Sequence, residues 1–444
     1  MTRFVPREDV LSWGRVLRAR HHVRRPAWRD ELPSTIAAAI SAGRKLLPVG
    51  LRRSYGDSAL NPDGMLIDMT GLDRILAFDP ARRLLRAEPG VSFDVLLNML
   101  VPHGLFLPVV PGTRFVTLAG AVANDIHGKN HHGAGTFGRW IRRIGLLRSD
   151  GDELELEAGE QSGLFAATVG GLGLTGLITW VELELASIAS TTMQAENIPF
   201  GGLDEFFAIA AESEEKFDHT VAWVDCLAKG AALGRGIFMR ARHSPVGPLT
   251  ATGGRPRLSL PLDFPGAVLN NATVRAFNAL YYWTGTRTPR ASNVHYQRFF
   301  FPLDAIGQWN RIYGRRGMYQ YQSVVPPAAA RDATRAMLHA IASAGEGAFL
   351  AVLKTFGDKA SPGMLSFPRP GTTLALDLPN RGTSTLALMG KLDAIVQDAG
   401  GRLYPAKDGR IPADMFRAGY PDRSGFATHV DPAFSSSFWK RVGA

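Results

Sequence analysis

The chain has 444 residues, 45% of them hydrophobic and 20% charged, with a formal net charge of +10, a usage that fits a soluble globular protein too long for one ordinary core. No stretch approaches the roughly 18 consecutive apolar residues of a spanning helix, the N-terminal MTRFVPREDVLSWGRVLRAR lacks the apolar core of a secretory signal, and Cys226 is the only cysteine, which excludes an internal disulfide and a cysteine metal cluster. A cytoplasmic location, free or associated with a membrane surface, is the expectation. Much of the positive excess is arginine, dense between Arg15 and Arg29 and again at Arg139, Arg142 and Arg143. Such a surface either stays solvated or attracts an anionic lipid or a phosphorylated substrate. No helix-turn-helix, zinc-finger or RNP-type pattern accompanies it, so nucleic acid is not expected.

In chain order, LLPVG (46–50), MLIDM (65–69), LLRAEPG (84–90) and ELELE (153–157) read as strands bounded by turn residues. Phe93, Leu96, Leu97 and Leu100 have helical spacing, with Ser92 as N-cap and Gly104 as stop. Strands mixed with helices, without regular βαβ alternation, favour an α+β fold. After ITWVELELAS (178–187) the composition shifts toward aromatics. Residues 242–266, rich in Pro and Gly, read as an irregular loop, and PAAARDATRAMLHAIAS (327–343) reads as a helix ended by Gly345. The expected organisation is 1–188, 189–400 and a C-terminal segment 401–444.

Three glycine-rich stretches carry the chemistry. Val49 to Asp57 runs from an apolar strand into a loop with Arg53, Ser54, Tyr55 and Gly56, able to aim N–H groups and a guanidinium at phosphate. Residues 111–133 read PGTRFVTLAGAVANDIHGKNHHG. Small residues at 119–121 and 123 let backbone approach a ligand, and a short helix there would face a pyrophosphate. GGLGLTG (170–176) is the third. Taken alone, His127, His131 and His132 could form a metal cluster, but no acidic ligand pattern lies nearby and no metal is expected. Gln320 and Gln322, two apart, face the same way on a strand and could be the solvent side of an edge strand. Lys407 beside Asp408 could be a surface ion pair.

The spacing of G-x-R-R-S-Y-G-D, P-G-T-x-x-x-T, D-I-H-G-K-N-H-H and G-G-x-G-L-T-G resembles the vanillyl-alcohol-oxidase type of FAD-linked oxidases. The likeness continues in order through Ala222 to Asp225, Phe301 to Asp304, Gln320 to Gln322, Leu365 to Pro368 and Ala406 to Asp408. It is greatest to the branch that oxidises the 2′-hydroxyl of a polyprenyl-phosphate ribose, which a short-chain reductase then completes as an epimerisation. An aldonolactone or alditol oxidase acting on a free sugar, and a non-enzymatic basic membrane- or nucleic-acid-binding protein, are the alternatives. The resemblance implies a two-domain α+β fold, with the substrate domain built on an antiparallel sheet with flanking helices. It implies FAD contacts at Arg53, Ser54, Tyr55, Gly56, Asp57, Gly112, Thr117, Leu118, Ala119, Gly120, Asn124, Asp125, Ile126, His127, Gly128, Ile178 and Tyr404. Lys129, Gln320, Gln322, Lys354, Phe356, Thr373 and Ala375 would line the substrate side, and Lys407 or His127 would be the base. The family often attaches FAD through a histidine at the position of Arg53, so a non-covalent flavin is expected. Ala119 stands where relatives carry glycine, Phe300 where they carry tyrosine, and Thr373 and Ala375 where they carry asparagine and cysteine.

Overall fold

A computed structural model describes residues 4–443 apart from 252–255, 257 and 267. The glycine-punctuated runs of the first half build two sheets. Strands Val5–Leu11, Arg18–Arg24, Met65–Asp68 and Leu46–Val49 lie in that order, the first pair antiparallel and the rest parallel. The second sheet is antiparallel, ordered Ile75–Asp79, Leu84–Ala87, Leu177–Glu184, Ile141–Leu147 and Glu153–Glu157. Helix Phe93–Leu100 covers it. Ser92 accepts a bond from Val95 N–H at its start, and Gly104, at φ 68°, closes the 3₁₀ turn after its end, a conformation only glycine adopts cheaply. Its four spaced apolar residues are all buried, each stabilising by about 1.5–3 kcal/mol.

The second half is an eight-stranded antiparallel sheet. The order is Ala291–His295, Thr192–Phe200, Gly236–His243, His219–Val224, Ala351–Phe356, Gly371–Pro379, Met318–Val325 and Arg402–Leu403. Side chains alternate between its faces. Ala222, Val224, Leu353, Leu374 and Leu376 point into a core shared with helices Leu203–Ser213, Ala330–Ala344 and Thr383–Asp398. The intervening Val221, Trp223, Val352, Lys354, Ala375, Gln320 and Gln322 face a cavity instead. The mixture of helices with largely antiparallel sheets is α+β.

Of the loop expected at 242–266, residues 252–255 and 257 lie outside the described residues. Elsewhere the expectation needs correcting, because strand Gly236–His243 runs into its start and Leu258–Ser259 pairs with Ile306–Gly307. Four of the six arginines between 15 and 29 are neutralised in ion pairs. Arg15 forms a two-pronged bond to Asp263, while Arg20 pairs with Glu8, Arg24 with Glu31 and Arg29 with Glu88.

The last forty residues run back over the first half. Tyr55 N–H donates to Ala406 O at 3.0 Å, Leu46 N–H to Ala433 O at 2.8 Å, and Ser435 N–H to Leu46 O at 2.9 Å. Arg441 bonds both oxygens of Asp57, at 2.8 and 3.1 Å, and Asp408 at 3.2 Å.

Candidate active site

Between the glycine loops and the open face of the large sheet lies one continuous cavity of about 1130 Å³. The loops reach it because their neighbours hold them. Thr117 caps helix Leu118–Ala123 by accepting from Gly120 N–H, and a side chain at Gly50 would strike Thr117 Oγ1 at 2.1 Å. A Cβ at Gly112 would meet nothing within 4 Å. The Arg53 guanidinium lies 4.0 Å over the Trp13 ring. Tyr404 donates from its hydroxyl to Asn124 O at 3.0 Å, pinning that loop to the C-terminal segment.

Of the expected contacts, Arg53, Ser54, Tyr55, Gly112, Thr117, Ala119, Gly120, Asn124, Ile126, His127, Gly128, Ile178 and Tyr404 line this cavity, as do Lys129, Gln320, Gln322, Lys354, Ala375 and Lys407. Six do not, and each is held elsewhere. A Cβ at Gly56 would fall 1.6 Å from Asp408 O, so this glycine admits the returning chain. Asp57 is taken by Arg441, and Leu118 is fully buried in the core. Asp125 is buried as well, accepting from Gly138 N–H at 2.7 Å and from the hydroxyls of Ser361 and Ser366; desolvation raises its pKa despite these bonds. Phe356 faces the same side as Lys354 but is covered by the rings of His127 and His131, at 4.9 and 4.4 Å. Thr373 is likewise covered, its hydroxyl 3.2 Å from the Gln322 amide.

His127 is fixed on both sides. Its Nε2 lies 3.1 Å from the Gln322 amide and its Nδ1 3.0 Å from Lys354 Nζ. Lys354 also donates to Gly128 O at 3.2 Å. Burial, and then the nearby lysine charge, drive the imidazole pKa well below its usual value, so the ring is neutral. A neutral imidazole offers one donor and one acceptor. The Gln322 atom that faces Nε2 is the amide nitrogen, a donor, so Nε2 accepts and the ring proton sits on Nδ1, facing the Lys354 amine, whose pKa burial has lowered.

Lys129 donates to Phe299 O and lies 4.3 Å from that ring's centre. Desolvation lowers its pKa to about 7, and desolvation together with Lys129 and Lys407 lowers that of Lys354 to about 7. Lys407 differs: among the described residues its Nζ has no hydrogen-bond partner and rests 4.2 Å over the Tyr55 ring. Burial lowers its pKa, opposed by attraction from Asp377. The surface pair with Asp408 does not form, because that buried carboxylate accepts from Arg410 N–H, Ile411 N–H and Arg441.

Residue-type reasoning passed over Asp377, although its position carried a signal. It is a lone carboxylate inside an apolar strand, paired in register with Gln320, which donates to it. It passed over Trp13, Asp304 and Arg298 too, all on the cavity wall. Among the described lining residues the charged side chains are Arg52, Arg53, Lys129, Arg298, Lys354 and Lys407 against the single acid Asp304. This is a cavity for an anion.

Residues 21–157 match the FAD binding domain family. Decaprenylphosphoryl-beta-D-ribose oxidase of Mycolicibacterium smegmatis is 38% identical over 424 residues, 93% of this chain and 91% of its own length. An uncharacterised protein of Streptomyces coelicolor is 33% identical over 80% of this chain and 100% of its own. L-gulono-1,4-lactone dehydrogenase of Mycobacterium tuberculosis is 32% identical over 36% of each. Fold, cavity and relatives together define an FAD-dependent oxidoreductase acting on a CH–OH group. Within that class the chain belongs to the decaprenylphosphoryl-ribose oxidase family of FAD-linked oxidases.

Proposed function

We propose that the protein removes hydride from the 2′-carbon of a polyprenyl-phosphate ribose, leaving a ketone, as the first half of an epimerisation that a short-chain reductase completes. The observation that carries this reading is the cationic wall, which runs from Arg53 at the glycine loops to Lys354 on the sheet and can meet two separate phosphate groups. The Mycolicibacterium smegmatis relative, matched over nearly the whole chain, is named for such a substrate. The lactone dehydrogenase matches only 160 residues, too few to span both halves. In this reading residues 1–188 hold the flavin, 189–400 hold the sugar phosphate, and 401–444 bring Lys407 to both.

The residues present fit FAD. Gly112 leaves room where a Cβ would stand, and Asn124 Oδ1 is a buried polar atom on the wall without a partner. Arg53 to Tyr55, Gly112, Thr117, Ala119, Gly120, Asn124, Ile126 to Gly128, Ile178 and Tyr404 would hold it. When bound, FAD supplies the hydride acceptor.

The protein's own part is to take the hydroxyl proton as the hydride leaves. Lys407 suits this because its Nζ is unspent and burial favours its neutral form. His127 suits it less, since both ring nitrogens are engaged and its role is to hold Lys354 and Gln322 in place. Lys129 and Lys354 meet the phosphate as point charges. Gln320 Oε1, buried and unpartnered, is an acceptor for a sugar hydroxyl.

The test mixes the purified flavoprotein anaerobically with farnesyl-phosphoryl ribose, with free ribose and with L-gulonolactone, following loss of the oxidised flavin's visible band. Bleaching by the lipid-phosphate sugar alone is expected. Equal bleaching by a free sugar or lactone overturns the reading in favour of a soluble-sugar oxidase.

A further inference from the structure

Charge is distributed unevenly along this chain. Residues 226–303 contain ten Lys and Arg against one acid, Asp263, and so hold nine of the ten net positive charges. The same stretch and its immediate end carry most of the exposed large apolar side chains of the described residues, among them Val246, Leu258, Leu262, Leu280, Trp283 and Ile306.

Helix Asn271–Arg287 concentrates both features. Only Val274 and Asn278 of its 17 residues are buried. Leu280 and Trp283 remain 59% and 53% exposed, where a helix on a protein surface would ordinarily turn polar residues outward. Arg287 lies over the Trp283 ring at 3.9 Å. Arg275, Arg287, Arg290 and Arg298 are exposed, and among the described residues none of them is in a salt bridge. This face borders the cavity where it opens: Phe277 and Tyr281 from the helix, and Ile306 from the strand paired with Leu258, line the cavity and are exposed.

We infer that this face, formed by helix Asn271–Arg287 and the paired strands Leu258–Ser259 and Ile306–Gly307, docks on an anionic lipid bilayer, setting the cavity mouth against the membrane. The occupant follows from composition. Tryptophan, tyrosine and leucine interleaved with arginines that no carboxylate neutralises among the described residues suit the boundary between acyl chains and anionic headgroups. A second copy of this chain would bring the same positive charge against itself and be repelled. Docking does not depend on the substrate proposed above, and its test makes no use of turnover.

The flavoprotein is sedimented with phosphatidylcholine vesicles and with vesicles containing phosphatidylserine. Binding to the anionic vesicles only, weakening as salt rises, is expected. The pair Leu280→Asp with Trp283→Asp, and separately Arg287→Glu with Arg290→Glu, should each weaken it about tenfold or more. These side chains are exposed and off the cavity wall, so flavin content and far-ultraviolet circular dichroism should match the parent and exclude misfolding. Equal binding to both vesicles, no binding to either, or unchanged binding by the variants overturns the proposal. So does a dimer in analytical ultracentrifugation that the Leu280/Trp283 pair dissolves, because the face would then be an interface between copies.

Discussion

Replacing Lys407 by alanine separates chemistry from structure at this site. The folded protein loses a cation over the Tyr55 ring at 4.2 Å, a contact worth about 0.5–2 kcal/mol. It also sheds the cost of burying an ammonium group, so the two changes oppose each other and the melting temperature should hardly move. The reaction loses a positioned base, and flavin reduction by substrate should fall about 10²–10⁴-fold. Anaerobic stopped-flow absorbance measures that rate directly. Its pH dependence gives a second reading. Lys407 acts only when neutral, so the wild-type rate should climb with pH through an ionisation that burial has moved below the usual lysine range. Asp377 favours the charged form, so Asp377→Asn should move that climb to lower pH. A Lys407→Ala enzyme that reduces its flavin at near the parent rate, or a climb that stays in place without Asp377, refutes the assignment and returns the base to His127.

Arg53 offers no imidazole to the flavin, so acid precipitation should release all the yellow colour into the supernatant; colour in the pellet would show a covalent link. Arg441→Ala strands Asp57 and Asp408, which are 6% and 5% exposed, and should cost about 3–5 kcal/mol in denaturant unfolding. Burial already raises the Asp57 pKa, so the orphaned Asp57 can protonate, and the deficit should be smaller at pH 5 than at pH 8. Lys129 and Lys354 have folded pKa values of about 7, below their unfolded values. Between pH 7 and the unfolded value the unfolded chain binds more protons, so stability of the flavin-free protein should rise with pH. Differential scanning fluorimetry should show that rise, and Lys129→Met with Lys354→Met should flatten it.

Much of the first half could be read from residue order because its signals are local. Ser92 and Gly104 bracket the helix they cap, and the strand at 46–49 stops before Gly50. The cavity wall was legible only in outline. A motif names consecutive residues, whereas a short helix or strand shows a ligand only some of them. Leu118 turns into the core between Thr117 and Ala119, and Asp125 is drawn inward by Ser361 and Ser366, partners more than 230 residues away. Asp57 is held off the cavity wall for the same reason, since its partner Arg441 lies 384 positions on. Period-two alternation sets Asp377 and Gln320 on the open sides of their strands, while only the pairing register brings the two together. The fate of the arginines between 15 and 29 was not legible at all: their neutralising partners include Asp263 and Glu88, which only the folded chain brings near.

The returning C-terminal segment has a consequence for how the protein is made. Both large sheets, save the short strand Arg402–Leu403, and all three glycine stretches have been synthesised by residue 379, yet Lys407 and its anchors at Ala406, Ala433 and Arg441 emerge last. The loops that would cradle a dinucleotide therefore lack their last anchors, Tyr404 on Asn124 and Ala406 on Tyr55, until the segment that carries the amine is made. One segment thus completes both the cofactor cradle and the reactive amine, so a chain cut before it should lose flavin retention and reactivity together.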